Sequence, residues 1–121
     1  MYLPDIIDNF GKTNNIAHIY RENILTYEDL KKKSDALAFY LIKILDHDQS
    51  PIIVYGHKEN EMLICFLACV KSGHPYVPLD SSILLPLTQF DAAILTANNG
   101  RIIATVCHKV ENSGANQSLA R

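Results

Sequence analysis

Histidine and cysteine side chains supply the reactive groups with the most suggestive spacing in this 121-residue sequence. His57 directly follows a short apolar run at 51–56, a pattern typical of a strand buried on both faces of a parallel sheet. Open α/β sheets bind ligands at the carboxyl ends of their strands, so His57 is a candidate site residue. The ordinary alternative, which we favour, is that His57 only leads into the next helix.

Cys65 and Cys69 lie four residues apart on one face of a predicted helix, with His74 near in sequence. Together they resemble part of a zinc site, but a CxxC spacing and a fourth ligand are lacking. Two small buried cysteines are the favoured interpretation. The sequence has three cysteines, and an odd number does not form a disulfide framework.

Two charged clusters have a structural and a functional interpretation. His47 stands between Asp46 and Asp48, where it could be a metal ligand or a general base, but a histidine in a polar loop is more often inert. The lysines at 31–33 could bind nucleic acid, but acidic neighbours favour a solvated helix face. The net charge of −2 gives no reason to expect nucleic acid or an anionic membrane as a partner.

The elements that must position these residues are those of an α/β fold. We expect a helix at 1–10, a hairpin from strands 16–20 and 24–27 with Asn23 left-handed in its turn, and a helix from an N-cap at Thr26 to about Leu45. A nearly all-apolar helix at 60–72 then joins parallel strands at 51–56 and 76–79. Gly73 fits the left-handed C-cap of that helix, and Pro78 suits an edge strand.

Charged residues become sparse after residue 83, and Asn99-Gly100 predicts a hairpin within 92–106. We expect the polar end at 116–121 to be disordered. The chain is 48% hydrophobic, but its longest apolar run, at 62–70, is far below the roughly 20 residues of a membrane span. The N-terminus lacks the features of a signal peptide, which predicts a cytoplasmic location.

Two stretches resemble core motifs of the adenylate-forming (AMP-binding) enzymes. VKSGHPYVPLD at 70–80 is similar to their second motif, LKAGxAYVPLD, and LTYEDL at 25–30 is similar to their first. The segments YGH at 55–57, SDALA at 34–38 and DSSI at 80–83 most resemble the D-alanine–D-alanyl carrier protein ligases. The resemblance covers 1–83 as the N-terminal part of an AMP-binding adenylation domain and leaves 84–121 as a divergent tail.

The resemblance implies a ligase that converts D-alanine and ATP, with Mg²⁺, to D-alanyl-AMP. Such an enzyme then loads D-alanine onto a D-alanyl carrier protein for D-alanylation of lipoteichoic acid. Within the family these two motifs belong to the scaffold and do not contact the nucleotide. The remainder of the adenylation domain would be a partner of this segment.

The phosphate-binding chemistry of that family is missing from the sequence. Its five glycines are isolated, so no phosphate-cradling loop occurs. We therefore assign no catalytic, cofactor-binding or metal residue. We expect no cofactor for the chain alone, and we expect it to be inactive. Only His57 and Lys71 could take the place of the missing catalytic groups. The open alternatives are an adenylation domain of a peptide synthetase, an acyl-CoA synthetase, and a non-catalytic interaction module. Two explanations of the divergence after residue 83 also stay open. The coding region could be truncated or frameshifted, or a segment could be inserted at 84–108.

Overall fold

The computed structural model describes residues 2–46, 48–83, 92–98, 100–108 and 117–120. It contains α1 (Leu3–Phe10), α2 (Tyr27–Leu45) and α3 (Asn60–Lys71). Its strands are β1 (Ile16–Tyr20), β2 (Asn23–Thr26), β3 (Ile52–Gly56), β4 (Tyr76–Asp80), β5 (Ala92–Asn98), β6 (Arg101–His108) and β7 (Gln117–Ala120). The fold is α/β, as predicted.

A mixed five-stranded sheet forms the centre, in the order β4-β3-β5-β6-β7. β3 pairs in parallel with both β4 and β5, whereas β5–β6 and β6–β7 are antiparallel. The predicted parallel βαβ unit is therefore confirmed, with α3 as its crossover helix. Pro78 lies in β4 at the edge of the sheet, where a missing ladder donor is tolerated.

The main core lies between this sheet and the helices α2 and α3. Ile52 and Val54 of β3 point to this layer, and Cys65, Cys69 and Leu41 pack against them. Alternation along β3 puts Ile53 on the other face of the sheet, in a cluster with Ile94 of β5. Both faces of β3 are thus buried, which explains why its sequence is continuously apolar.

Local capping signals define the helix ends as the sequence predicts. The Thr26 hydroxyl accepts a hydrogen bond from the Asp29 backbone N–H at 3.1 Å, which fixes the start of α2. Gly73 has φ +83°, the left-handed conformation expected just beyond α3. No helix among the described residues is long and apolar enough to cross a membrane.

Two local expectations differ from the structure. The β1–β2 turn has two residues, with Arg21 at φ 56°, and Asn23 already pairs with Tyr20 in the ladder. Two-residue hairpin turns place a positive φ at a central position, which here falls on Arg21. Residues 117–120, expected to be disordered, form β7 against β6, because a strand edge offers unpaired backbone groups even to a polar segment.

The hairpin predicted within 92–106 is formed by β5 and β6, whose ladder runs from Ala92↔Cys107 to Asn98↔Arg101. The division of the chain at residue 83 stays a prediction.

Candidate functional site

The loops that follow β3 and β4 are held together at the carboxyl edge of the sheet. His57 Nδ1 lies 2.9 Å from Asp80 Oδ1, and the Ser82 backbone N–H donates to the same oxygen at 2.9 Å. The Ser81 backbone N–H donates to the Gly56 carbonyl at 2.9 Å. The Ser82 N–H, followed by His57, holds the pKa of the exposed Asp80 carboxyl below its usual value.

The carboxyl-edge cleft, of about 650 Å³, opens beside these loops. Its walls are β2 and the β1–β2 turn, the first two turns of α2, the first turn of α3, the loops after β3 and β4, and Gly100 of the β5–β6 turn. Lining residues include Arg21, Asp29, Lys33, His57, Glu59, Asn60, Glu61, Ser81 and Ser82. The volume is within the usual range of ligand sites, and the position is where α/β sheets place them.

A buried asparagine fixes the hairpin wall of the cleft. The Asn60 amide NH₂ donates to the Asn23 carbonyl at 3.1 Å, so its Oδ1 is the acceptor that faces His18 Nδ1 at 2.7 Å. Sequence reasoning treated Asn60 only as a helix start, because its partners come from a strand far away in the chain.

Charges of both signs line the cleft. Arg21 and Lys33 are cationic, whereas Asp29, Glu59 and Glu61 are anionic. Glu59 also accepts a hydrogen bond from the His57 backbone N–H. Phosphate groups are usually bound by several backbone N–H groups and cations, whereas here three carboxylates line the cleft beside two cations. Among the described residues, those that line this cleft do not form a phosphate-binding cradle for ATP.

Comparison with models of protein families shows to which family this chain belongs. The family model described as "AMP-binding enzyme" matches residues 9–114. The chain belongs to the AMP-binding enzyme family.

Curated relatives of this AMP-binding chain include D-alanine–D-alanyl carrier protein ligases. The ligase of Bacillus cereus (strain G9842) is 51% identical over 85 residues, covering 69% of this chain and 17% of the relative. That of Bacillus anthracis (strain CDC 684 / NRRL 3495) is 51% identical over 67 residues, covering 55% of this chain and 13% of the relative. The chain thus spans less than a fifth of these enzymes.

Solved structures of adenylation enzymes share this fold. The Klebsiella oxytoca NpsA N-terminal subdomain superposes with a TM-score of 0.60 at 26% identity, covering 68% of this chain and 22% of that chain. The same subdomain with anthranilyl-AMSN has a TM-score of 0.63 at 18% identity and covers 97% of this chain and 40% of that chain. The predicted architecture, the N-terminal part of an adenylation domain, is confirmed.

His57 and Lys71, the two residues that could replace the missing catalytic groups, lie in different places in the structure. His57 lines the carboxyl-edge cleft, but Lys71 lies at the last turn of α3 and forms a different cluster. Lys71 Nζ contacts Asp8 Oδ1 at 2.8 Å, Asp35 Oδ1 at 2.7 Å and Ser34 Oγ at 2.9 Å. Lys71 therefore joins three helices and is not available to a ligand in the cleft.

The cysteine interpretation agrees with the structure. Cys65 and Cys69 are free thiols in the core. Burial, followed by the nearby Cys69, raises the pKa of Cys65, and burial raises that of Cys69 to about 12. His74 is also buried and places Nδ1 3.1 Å from the Ser50 carbonyl oxygen. Within the described ranges, no three His, Cys, Asp or Glu side chains are grouped to hold a metal ion.

Two of the three lysines at 31–33 are paired along their own helix. Lys31 contacts Asp35 at 2.7 Å and Lys32 contacts Glu28 at 2.8 Å, both at i,i+4 spacing. This agrees with a solvated helix face. His47 falls outside the described residues.

Proposed function

We propose that this chain is the N-terminal part of a ligase that activates D-alanine with ATP and Mg²⁺ to D-alanyl-AMP. The complete enzyme would load D-alanine onto a D-alanyl carrier protein for teichoic acid D-alanylation, in the cytoplasm, where ATP is available. The observation that carries the proposal is the 51% identity over 85 residues to a D-alanine–D-alanyl carrier protein ligase.

A peptide-synthetase adenylation domain is the second candidate. NpsA supports it, since an artificially fused adenylation–PCP di-domain of that protein superposes with a TM-score of 0.58. Its identity is 27%, about half of that to the D-alanine ligases. The D-alanine assignment is therefore favoured.

The chain alone should not catalyse the reaction. Adenylation needs the carboxylate and the α-phosphate held at near-attack distance while charge develops on both. Isolated glycines and a cleft of mixed charge do not provide such a cradle. We expect a nucleotide affinity in the millimolar range or weaker, about −4 kcal/mol at best.

The test is D-alanine-dependent exchange of labelled pyrophosphate into ATP. The purified chain should give only background exchange, whereas a chimera should be active. In this chimera, residues 9–83 replace the matching segment of the Bacillus cereus ligase. Exchange by the chain alone that is lost in His57→Ala would overturn its assignment as an inactive part. A folded chimera without D-alanine-dependent exchange would overturn the assignment to D-alanine ligases, because the segment would then not fit the remainder of such an enzyme.

A further inference from the structure

A groove between α1 and α2 opens on the side of α2 that faces away from the sheet. This α1–α2 groove has a volume of about 380 Å³, and its apolar walls include Tyr2, Phe39 and Ile42. These three residues are 53%, 66% and 56% exposed. Leu41 of the same helix is fully buried in the core against β3, so Phe39 and Ile42 lie on the outer surface of α2.

One side of the groove is acidic. Asp5, Asp8 and Asp35 line it together with a single cation, Lys71, so the lining groups carry an excess of negative charge. Lys71 is 11% exposed and contacts Asp8 and Asp35 at 2.8 and 2.7 Å, and Lys31 contacts Asp35 from outside the groove. Among the described residues, the exposed Asp5 carboxylate has no such ion pair. The unbalanced negative charge therefore lies at Asp5, on the α1 side of the groove.

We propose that the α1–α2 groove binds a basic amphipathic helix of another protein. The apolar face of that helix covers Phe39 and Ile42, and a lysine or arginine on its flank pairs with Asp5. Amphipathic helices dock in this way on apolar grooves, with their contacts at i, i+3 and i+4 spacing. The proposal does not depend on the reaction that the complete enzyme catalyses.

The exposure and charge of the groove disfavour other occupants. A small molecule covers protruding side chains poorly, because small-molecule sites bury most of the ligand surface in a concave pocket. An acidic helix would meet the like charge of Asp5. A second copy of the chain is also a poorer occupant, since a symmetric contact brings the same acidic patch from both sides.

The test uses a designed helical peptide of about 14 residues, or four turns, with leucine on one face and lysine on the other. A second peptide has glutamate in place of lysine. Binding to the isotope-labelled chain is followed by NMR. The lysine peptide should bind with a dissociation constant of about 1–100 µM and shift the amide signals of Phe39 and Ile42. The glutamate peptide should bind at least about tenfold more weakly.

Substitutions test the apolar and the acidic part of the groove separately. Ile42→Gln should weaken binding about tenfold or more, whereas Ile24→Gln, a matched isoleucine that is 57% exposed on the hairpin, should not. Asp5→Asn should weaken binding by about two- to fivefold and reduce its salt dependence. Glu22→Gln, an exposed carboxylate in the β1–β2 turn, should change neither.

A lysine peptide that does not bind, or that binds Ile42→Gln as well as wild type, would overturn the proposal. Dimerisation of the chain that Ile42→Gln abolishes would also refute it, because a second copy would then occupy the groove. The same titration is repeated with a folded chimera in which residues 1–83 replace the matching segment of the Bacillus cereus ligase. Binding by the chain but not by this chimera would mean that the rest of the enzyme covers the groove, and the proposal would fail.

Discussion

Replacing Lys71 by methionine should destabilise the protein strongly, although the residue lies at a helix end. Its side chain is 11% exposed, and its ammonium contacts Asp8, Asp35 and Ser34 at 2.7–2.9 Å. Methionine keeps the apolar stem and the helix propensity, so the change removes mainly the charge and its hydrogen bonds.

The size of this destabilisation depends on how well the Asp8 and Asp35 carboxylates are solvated once the ammonium is lost. Removing one member of a fully buried ion pair costs about 3–5 kcal/mol. The Asp8 and Asp35 side chains retain 27% and 46% exposure, so water can partly replace the lost contacts. We therefore expect the free energy of unfolding to fall by about 2–3 kcal/mol, or the melting temperature by about 8–12 °C.

The measurement is the free energy of unfolding of Lys71→Met by chemical denaturation, compared with that of a matched control. Lys32→Met removes an ion pair whose lysine side chain is 71% exposed, so it should leave the free energy of unfolding almost unchanged. If Lys71→Met behaves like this control, the cluster does not hold the three helices together and the reasoning fails.

The effect of Lys71→Met should also depend on pH. Burial alone would raise the pKa of Asp35, but hydrogen bonds from Lys31 and Lys71 and their charges outweigh it and lower that pKa. An aspartate with a lowered native pKa contributes stability above its unfolded pKa of about 3.9, and this contribution is lost as pH falls through the native pKa. The stability difference between wild type and variant should therefore shrink below about pH 4.

Three further predictions concern α3 and its end. Phe66→Ala should lower the free energy of unfolding in urea melts by about 2–3 kcal/mol, because Phe66 packs against the core and its ring centroid lies 4.5 Å from that of Tyr76. A fully buried phenylalanine would cost more, since Phe66 is only partly buried. A loss under about 0.5 kcal/mol would contradict that packing. Gly73→Ala should cost about 1–2 kcal/mol, since φ is +83° and no atom lies near the added Cβ; an unchanged melt would contradict the strained cap. Cys65 and Cys69 should resist an aromatic disulfide reagent until denaturant is added, and rapid native labelling of either peptide in mass spectrometry would contradict their burial.

The sequence predicts the βαβ unit well because its signals are local. An all-apolar strand, a glycine in the left-handed C-cap and a proline in the edge strand each constrain the chain within a few residues. Gly73 and Pro78 are found in those predicted roles. Helix α2 is similarly defined by the Thr26 cap.

Long-range polar contacts were not predictable in this way. Lys71 looks like a last-turn cation, but its partners Asp8 and Asp35 lie 63 and 36 residues away. Asn60 bonds to the hairpin 42 residues earlier, at His18. A single sequence carries no periodic pattern for such pairs, since each depends on how whole elements pack. Strand β7 was missed for a related reason, because its pairing depends on the edge of β6 and not on its own composition.

The polar groups at the carboxyl-edge cleft are already paired with one another. His57 and Asp80 hold each other, and Ser82 fixes the same carboxylate, so the potentially reactive groups already stabilise the two loops. Lysine-mediated contacts do the same at the other end of α3, where Lys71 is fully occupied. Groups that already stabilise loops and helix ends are poor candidates for binding a nucleotide, because a ligand would first have to break their contacts. Within the described residues, the contacts of His57, Asp80 and Lys71 therefore stabilise the loops and helix ends of the AMP-binding fold.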